Sequence, residues 1–528
     1  MGISVVFILI TCAIAYHLGA DIDWDLQNYH FYNGYLYTHG RLISGSIATE
    51  QSYIDPYLNT FYYVMIRGLS PLQVNIIISI LQSLSVSFVA FVTLTIIDTG
   101  VAKANFVIAS MVALPAVIGP VFWSEVGGTM GDVLLASPVI LAILLLTKLT
   151  VMSGTMRQRN LYVAISGIMI GFASGLKFTN MPYAVAAFIS IAIMTFVMKL
   201  PLRDKLSLIL VFSVSATASL IVTYGQVGLL LWQNFHNPVF PFFSNVFRSQ
   251  YIVPYTLHDD RWFPRSFVGY LELPFDFCVR RQQHPYSTHF IGMEIPFRTY
   301  LFAAIFTSIP LYFVRLRKAL TSNPGMTYGG LFIVLFFVIS FIVSSVVFAY
   351  YRYIAVLEIM APLTLMVMGM AIFRPRLGGS VGPMAIVAGV LLLSLGSLPD
   401  SNWGREPFTS SYFGINKKRL AKYGDSLLVV GRAPMGFVLP YFPSSDRVIA
   451  LPEGIPGVTQ RFQEAYLRRL KDATGHIYYL SEYNKSLSIV KRHVKFLRQA
   501  YGLNIMYNQC KEIKTNIYPI AICAAEKR

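Results

Sequence analysis

The stretch "DIDWDLQNYHFYNGYLYTHGR", residues 21–41, sets three aspartates within five residues and follows them with a dense run of aromatics. Residues 21–60 hold Asp21, Asp23, Asp25, Glu50 and Asp55 against a single base, Arg41. If a helix runs over 25–39, Asp25 stands at its start, where a carboxylate serves as a cap and as a partner of the helix dipole. Capping accounts for one aspartate and not for three. On such a helix Asp25, Asn28, Tyr29 and Tyr32 share one face, being three or four residues apart, with His30 beside them. A carboxylate, an amide and phenols together suit a sugar, whose hydroxyls need acceptors and whose C–H faces stack on rings. A carboxylate placed there could also take the proton of an attacking hydroxyl.

Three further features carry chemistry. "WSEVGGTMGD", residues 123–132, brackets three glycines with Glu125 and Asp132. It reads either as a tight turn with solvated acids or as a second carboxylate cluster, glycine permitting close backbone approach. "GFASGLKFTN" places Lys177, and "YYRYIAVLE" places Arg352, at the ends of apolar stretches, with Glu358 further in. Cations at helix ends often only snorkel; a phosphate group is the alternative reason for them. The segment 232–298, with "WQNFHNPVFPFFSNVFRSQY" and "DDRWFPRSF", adds Arg261, Arg265, Arg280 and Arg281 as possible phosphate or headgroup contacts.

The elements that position these residues follow from composition. Of 528 residues 55% are hydrophobic and only 13% charged, with a mean hydropathy of +0.57; a soluble domain carries about 25% charged residues. The chain reads as an all-α polytopic membrane protein. Candidate spans lie near 3–20, 72–97, 104–122, 133–150, 161–176, 180–198, 206–231, 299–315, 328–349, 353–373 and 381–398, about eleven in all. The net charge of +17 fits loops at membrane surfaces better than nucleic acid, for which no motif is present. "MGISVVFILI" has no Lys or Arg, so the first stretch reads as a retained helix rather than a signal peptide.

Short-loop cations set the orientation. Lys103, Arg157, Arg159, Lys199, Arg203, Lys205, Arg315, Arg317, Lys318, Arg374 and Arg376 fall on alternate loops, the cytoplasmic ones if the N-terminus is inside. The other face then holds a first loop, 21–71, a large loop, 232–298, and everything after 398. The first of these loops reads as two helices lying at the bilayer surface, over 24–39 and 55–69. Residues 1–398 form the transmembrane domain, and 399–528 form a small α/β domain outside the membrane. Its strands are "DSLLVVG", "RVIAL", "HIYYLS" and "NIYPIAICA"; its helices are "TQRFQEAYLRRLKDA" and "KSLSIVKRHVKFLRQA". Residues 401–528 carry 20 Lys and Arg against 9 Asp and Glu, but long domains cross largely regardless of charge. Cys510 and Cys523 could pair in an oxidising compartment or remain two free thiols.

An aspartate at the start of an aromatic surface helix in the first outer loop, then acids after the third span, resembles the GT-C superfamily. These multi-pass glycosyltransferases use polyprenyl-phosphate sugars; the protein O-mannosyltransferases and the aminoarabinose transferases of lipid A are examples. "DLQNYHFYNGYLYTHGR", "GLKFTN", "NPVFPFF" and "RYIAVLE" also look like a bacterial membrane family described as GT-C transferases. The resemblance covers most of residues 20–365, and the basic tail resembles the extra outer domain of many such enzymes.

It implies an inverting glycosyltransferase in the bacterial inner membrane, with its site and tail on the periplasmic side. Asp25 would be the general base, with Asp23 competing for the position. Lys177 and Arg352, joined by Arg261 and Arg265, would hold the donor phosphate. Glu125, Asp132, Asn28, Tyr29, His30 and Tyr32 would bind sugar or acceptor. The partners implied are a polyprenyl-phosphate-linked sugar, a glycan, lipid or protein acceptor, and membrane lipids. A divalent cation such as Mg or Mn would take Asp25, Glu125 and Asp132 as hard oxygen ligands; many relatives need none. Two other classes stay open: a transporter or flippase of lipid-linked sugars, which would need charges deep in the spans, and a non-catalytic polysaccharide-assembly protein. Glu358 is the main charge inside a span.

Overall fold

The structure is a computed structural model. It describes the chain except residues 1, 46–49, 152–153, 255–261, 280–297, 323, 374–380, 397–402, 432–433, 451–456, 484–493, 495–496, 500 and 528, and the side chains at 50, 317–322, 324–326, 381 and 466. Each of the eleven expected spans falls on helical chain. Among the described residues six helices are long and apolar enough to cross a membrane: Pro71–Ile96, Asp132–Val151, Phe178–Val197, Leu202–Phe235, Thr327–Val347 and Tyr351–Phe373. Gly2–Leu18, Ala102–Ile118, Leu301–Leu316 and Gly382–Ser394 are apolar but shorter. The protein is thus an integral membrane protein, and six of the eleven expected spans qualify by length and composition. A helix satisfies its own backbone, which is why apolar sequence in lipid takes this form.

The segment expected as one span over 104–122 is broken. Its helix Ala102–Ala113 tightens into a 3-10 turn, Leu114–Ile118, containing Pro115; after an extended Gly119, Pro120 opens a new short helix, Pro120–Glu125. Proline fits the first helical turn, where its missing N–H is not needed, and cannot continue a preceding helix.

By their contacts the residues form two compact units. The first comprises Met1–Leu18, Asn75–Thr223 and Asp259–Trp403. Its helix Met156–Leu176 starts on a capping box, Thr155 with Gln158. Gly167, Gly171 and Gly175 of that helix form a seam on Leu202–Phe235: a Cβ at Gly171 would collide with the Ala216 carbonyl, and one at Gly175 with the Thr223 side chain. Small residues at every fourth position let two membrane helices approach backbone to backbone.

The second unit comprises Gly19–Val74, Tyr224–His258 and Gly404–Arg528. The tail therefore packs with the first loop and with Tyr224–His258. Strand β1 (Ala20–Asp21) pairs antiparallel with β2 (Arg405–Glu406), setting Asp21 opposite Arg405. The tail builds a six-stranded sheet from β3 (Leu427–Val430), β4 (Arg447–Ala450), β5 (Ile477–Glu482), β6 (Leu503–Ile505), β7 (Lys511–Ile513) and β8 (Ile520–Lys527). The order is β4-β3-β5-β8-β6, with β7 also on β8. β3 is parallel to both neighbours, and all four of its residues are buried. Its unbroken apolar run, "LLVV", is what a strand covered on both faces requires. Gln460–Lys471 is the first helix expected from sequence; the second lies largely outside the described residues. Cys510 and Cys523 form a disulfide, resolving the two alternatives.

The first loop forms the two expected helical segments, but not with an exposed aromatic face. After a short π-helical turn, Leu26–His30, comes Phe31–Thr38, and Tyr57–Gly68 follows. Tyr29, His30, Phe31 and Tyr32 are all buried. Phe31 packs on Tyr63, Phe413 and Tyr441, the Tyr32 hydroxyl donates to the Gly45 carbonyl at 3.0 Å, and Gly436 lies against the Asn28 carbonyl. The rings expected at the bilayer surface instead form the core that joins this loop to the tail.

Because the glycine seam has no room for a branched side chain, Gly171→Ile is expected to destabilise the protein by about 1–3 kcal/mol, the range for overpacking. A lowered thermal unfolding midpoint in detergent is the measurement; an unchanged midpoint would show that the seam yields.

Candidate functional site

In the first unit the residues 125–132 form a tight connection between Pro120–Glu125 and Asp132–Val151. Gly127 and Gly131 have φ of +71° and +89°, left-handed values suited to glycine, and a Cβ at Gly127 would strike the Asn75 side-chain amide. Gln82 clamps the turn from Pro71–Ile96: its amide donates to the Glu125 carbonyl at 3.0 Å and its oxygen accepts the Gly127 N–H at 2.7 Å. The turn delivers Asp132 to the first position of a helix, where its charge meets the dipole favourably.

Asp132 is the hub of an ion cluster. Its Oδ2 lies 2.7 Å from Lys177 Nζ and 3.4 Å from Arg352 Nε. Lys177 follows the helix Met156–Leu176 and also donates to the Met130 carbonyl at 2.8 Å. Arg352 sits in the 3-10 turn Tyr351–Ile354, 2.7 Å from Met130 Sδ. The rings of Tyr350, Tyr353 and Trp403 lie 5.4–5.6 Å from its guanidinium. Aromatic faces attract a cation most strongly when it is out of water. Thr179 reaches Asp132 Oδ1 at 3.5 Å.

Glu125 is fully buried, with Oε2 accepting the Val133 N–H at 3.0 Å and Oε1 without a hydrogen-bond partner. Burial first, and then the charge of Asp132, push its carboxyl well above the usual carboxylate range. Lys177, Arg352 and the Val133 N–H pull the other way. Two cations, Lys177 and Arg352, bear on the one Asp132 carboxylate; Lys177 is 21% exposed against 4% for Asp132, so the cationic side of the cluster has a face toward an incoming group. The geometry can hold an anion that binds through two different cations.

These acids do not fit a divalent cation. A metal at Asp132 would have to displace the Lys177 ammonium, which lies 2.7 Å from its Oδ2. Among the described residues no three His, Cys, Asp or Glu side chains converge as a metal site would.

Of the residues expected from sequence, the structure brings together Glu125, Asp132, Lys177 and Arg352. It does not bring Arg265 to them: that side chain is exposed ahead of the helix Phe267–Asp276. Arg261, Arg280 and Arg281 lie outside the described residues. Glu358, the charge inside a span, accepts the N–H groups of Val121 and Phe122 and the Tyr351 hydroxyl. Gln82 and Met130 were not foreseen; the only sequence signal for Gln82 was an amide inside an apolar stretch.

In the second unit, the helix of the first loop begins at Trp24, and Asp23, not Asp25, caps it: Asp23 Oδ1 accepts the Leu26 N–H at 2.9 Å. Asp21 Oδ1 accepts the Asp23 N–H at 3.0 Å, and the two carboxyls also hydrogen-bond to each other. Both are buried, whereas Asp25 is half-buried. Burial foremost, then the charge and hydrogen bond of Asp21 and the charge of Asp25, raise Asp23 well above the carboxylate range; the Leu26 N–H opposes them. The buried Tyr412 hydroxyl lies within electrostatic reach of Asp21, Arg405 and Asp23. Asn28 is 1% exposed and neither polar atom of its amide has a hydrogen-bond partner.

No protein-family model matches the chain, and no curated protein matches it. Among solved structures the chain is similar over nearly its whole length to ArnT from Cupriavidus metallidurans. The ArnT structure bound to undecaprenyl phosphate has a TM-score of 0.48 and 11% identity, covering 99% of this chain and 97% of that one. The apo ArnT structure gives 0.48 and 12%, covering 98% and 97%. The archaeal oligosaccharyltransferase AglB from Archaeoglobus fulgidus, in complex with an inhibitory peptide and a dolichol-phosphate, gives 0.40 and 12%, covering 90% of this chain and 69% of that one.

Asp23 holds its proton to higher pH when folded than when unfolded, so its contribution to stability falls as pH rises above about 4. Asp23→Asn keeps the cap and removes the like charge; it is expected to be the more stable protein at pH 7, with a flatter decline from pH 4. Asp55, pushed up to about 8 by burial, declines with the same sign and remains in the variant. Asp23→Ala loses the cap, a cost of about 1 kcal/mol. Thermal unfolding midpoints across pH 4–8 measure both; an Asp23→Asn curve parallel to wild type would contradict the shared proton.

Proposed function

We propose that this chain is an inverting glycosyltransferase that moves a sugar from a polyprenyl-phosphate donor to an acceptor hydroxyl at the outer face of the membrane. The observation that carries this reading is the pair of cations, Lys177 and Arg352, held on one buried carboxylate with net positive charge. Such a pair is already desolvated and oriented, so it stabilises the charge that builds on a departing lipid phosphate without reorganising. The sequence resemblance to polyprenyl-phosphate-dependent transferases supplies the substrate class. The positive-inside pattern supports the outer face, and a disulfide in the tail suits an oxidising compartment.

Asp25 is the general base in this mechanism. Asp23 is occupied by the Leu26 N–H and by Asp21. Asp25 is half-buried, and it is the residue that matches the first-loop aspartate of the transferases the sequence resembles. It takes the proton of the acceptor hydroxyl as the oxygen attacks the anomeric carbon from the side opposite the phosphate. The new C–O bond forms, the bond to the phosphate oxygen breaks, and the lipid phosphate leaves on Lys177 and Arg352 with inversion at the sugar. Asn28, with its unpartnered amide, offers both a donor and an acceptor to a hydroxyl. Glu125, whose Oε1 has no hydrogen-bond partner, offers that oxygen.

The test is transfer by the purified protein from a synthetic polyprenyl-phosphate sugar, read as released polyprenyl phosphate and glycosylated acceptor. Asp25→Asn is expected to lower turnover by about 10²–10⁴-fold, the range of general-base help, while still binding polyprenyl phosphate. Lys177→Ala and Arg352→Ala are each expected to lower it by about 10²–10³-fold and to weaken that binding. Full turnover by a folded Asp25→Asn variant removes the base assignment, and a dead Asp23→Asn variant beside it moves the role to Asp23.

A further inference from the structure

The feature left over by the mechanism is Glu358. It is a carboxylate 3% exposed in the first turn of the helix Ala355–Phe373, and none of its partners is a cation among the described contacts. Val121 N–H donates to both oxygens, at 3.0 and 3.1 Å, Phe122 N–H to Oε1 at 3.0 Å, and the Tyr351 hydroxyl to Oε2 at 2.8 Å. Gly119 leaves the carboxylate its place, since a Cβ there would collide with Oε1.

These partners lie on two separate elements of the candidate site. Val121 and Phe122 begin the helix Pro120–Glu125, whose last residue is Glu125 and whose following turn delivers Asp132. Pro120 has no N–H, so Val121 and Phe122 carry the first free donors of that helix. Tyr351 begins the 3-10 turn that holds Arg352, the next residue. Its ring is wedged against Phe277 and Phe302, so its hydroxyl is a fixed point. One side chain thus fixes the start of the element bearing the acids and the start of the element bearing a cation.

We propose that Glu358 is a positioning residue for the anion site: it sets the register of the Pro120–Asp132 segment against Arg352, and through it the spacing of Asp132, Glu125 and Arg352. The reaction part of this statement rests on the glycosyltransferase reading; the positioning part does not. A misplacement of about 1 Å costs about 10²-fold in rate, and Glu358 acts on the site only through such displacements, since it does not touch the phosphate.

The experiment compares wild type with Glu358→Ala, Glu358→Gln and Tyr351→Phe, purified in detergent. It reads hydrogen exchange of backbone amides and donor kinetics. Val133 N–H is the reporter: its acceptor is Glu125, not Glu358. Lys177 N–H, bonded to the Ala173 carbonyl, is the internal control. Glu358→Ala is expected to speed exchange at Val133 about tenfold or more with Lys177 unchanged, which corresponds to about 1.4 kcal/mol of lost protection. It is also expected to raise donor KM and lower turnover about 10²-fold. Glu358→Gln keeps an oxygen for the two N–H groups and is expected to recover most of both. Tyr351→Phe, the milder lesion should Glu358→Ala not fold, is expected to move the same readouts by a smaller factor. Val133 exchange or donor KM as in wild type, in Glu358→Ala or in its stand-in Tyr351→Phe, overturns the proposal. Faster Val133 exchange in a protein whose wild type transfers no sugar retires the glycosyltransferase reading and leaves the positioning role standing.

Discussion

Charges in a chain this apolar persist only where another charge or a dipole holds them. Asp132 is the point on which that constraint bears hardest. A buried carboxylate alone would protonate or draw in water, and a buried ammonium or guanidinium would be costlier still. Placed together at 2.7 and 3.4 Å they offset one another and fasten three separated pieces of chain: the start of Asp132–Val151, the end of Met156–Leu176, and the turn Tyr351–Ile354. The glycines of 127–131 and the clamp from Gln82 serve this meeting. So do the rings around Arg352, which surround the guanidinium with apolar bulk that it still finds attractive.

The same physics decides how the acids differ. Asp132 has cations beside it. Glu125 has a backbone N–H and a charged neighbour of its own sign, and burial and that neighbour push its carboxyl well above the usual range. Asp23 shares hydrogen bonds with Asp21 and behaves likewise. Glu358 has three donors on two elements. Residues of one chemical type thus come to pair with cations, lie buried beside a like charge, cap a helix and tie elements together, and it is their surroundings that assign the parts.

The membrane helices were legible in the sequence because hydropathy at span length is a one-dimensional signal. Their ends were less so: nothing apolar distinguishes 104–113 from 114–122, and it was Pro115 and Gly119–Pro120 that broke the run. Lys177, Arg352, Glu125 and Asp132 could be picked out because cations and acids at the ends of apolar stretches need a reason. Their convergence could not, since it depends on helix packing across more than 200 residues. The face drawn through Asp25, Asn28, Tyr29 and Tyr32 assumed α-helical periodicity, and a π-helical turn at Leu26–His30 shifts that periodicity. Aromatic residues also read alike whether they meet lipid or a protein core, and here Phe413 and Tyr441, far along the chain, supply the core.

That last pairing has a consequence for biosynthesis. Ala20–Asp21 finds its partner strand only at Arg405–Glu406, so the first loop is made long before the chain that buries it. At about 5–20 residues per second, the aromatic helix waits on the order of 20–80 s with Phe31 and Tyr32 uncovered. Through that interval it is a ribosome-bound chain with an unfinished hydrophobic surface outside the spans. Whatever shields those rings in the cell, the bilayer surface or a chaperone, belongs to the folding route of this protein and leaves no trace in its finished form.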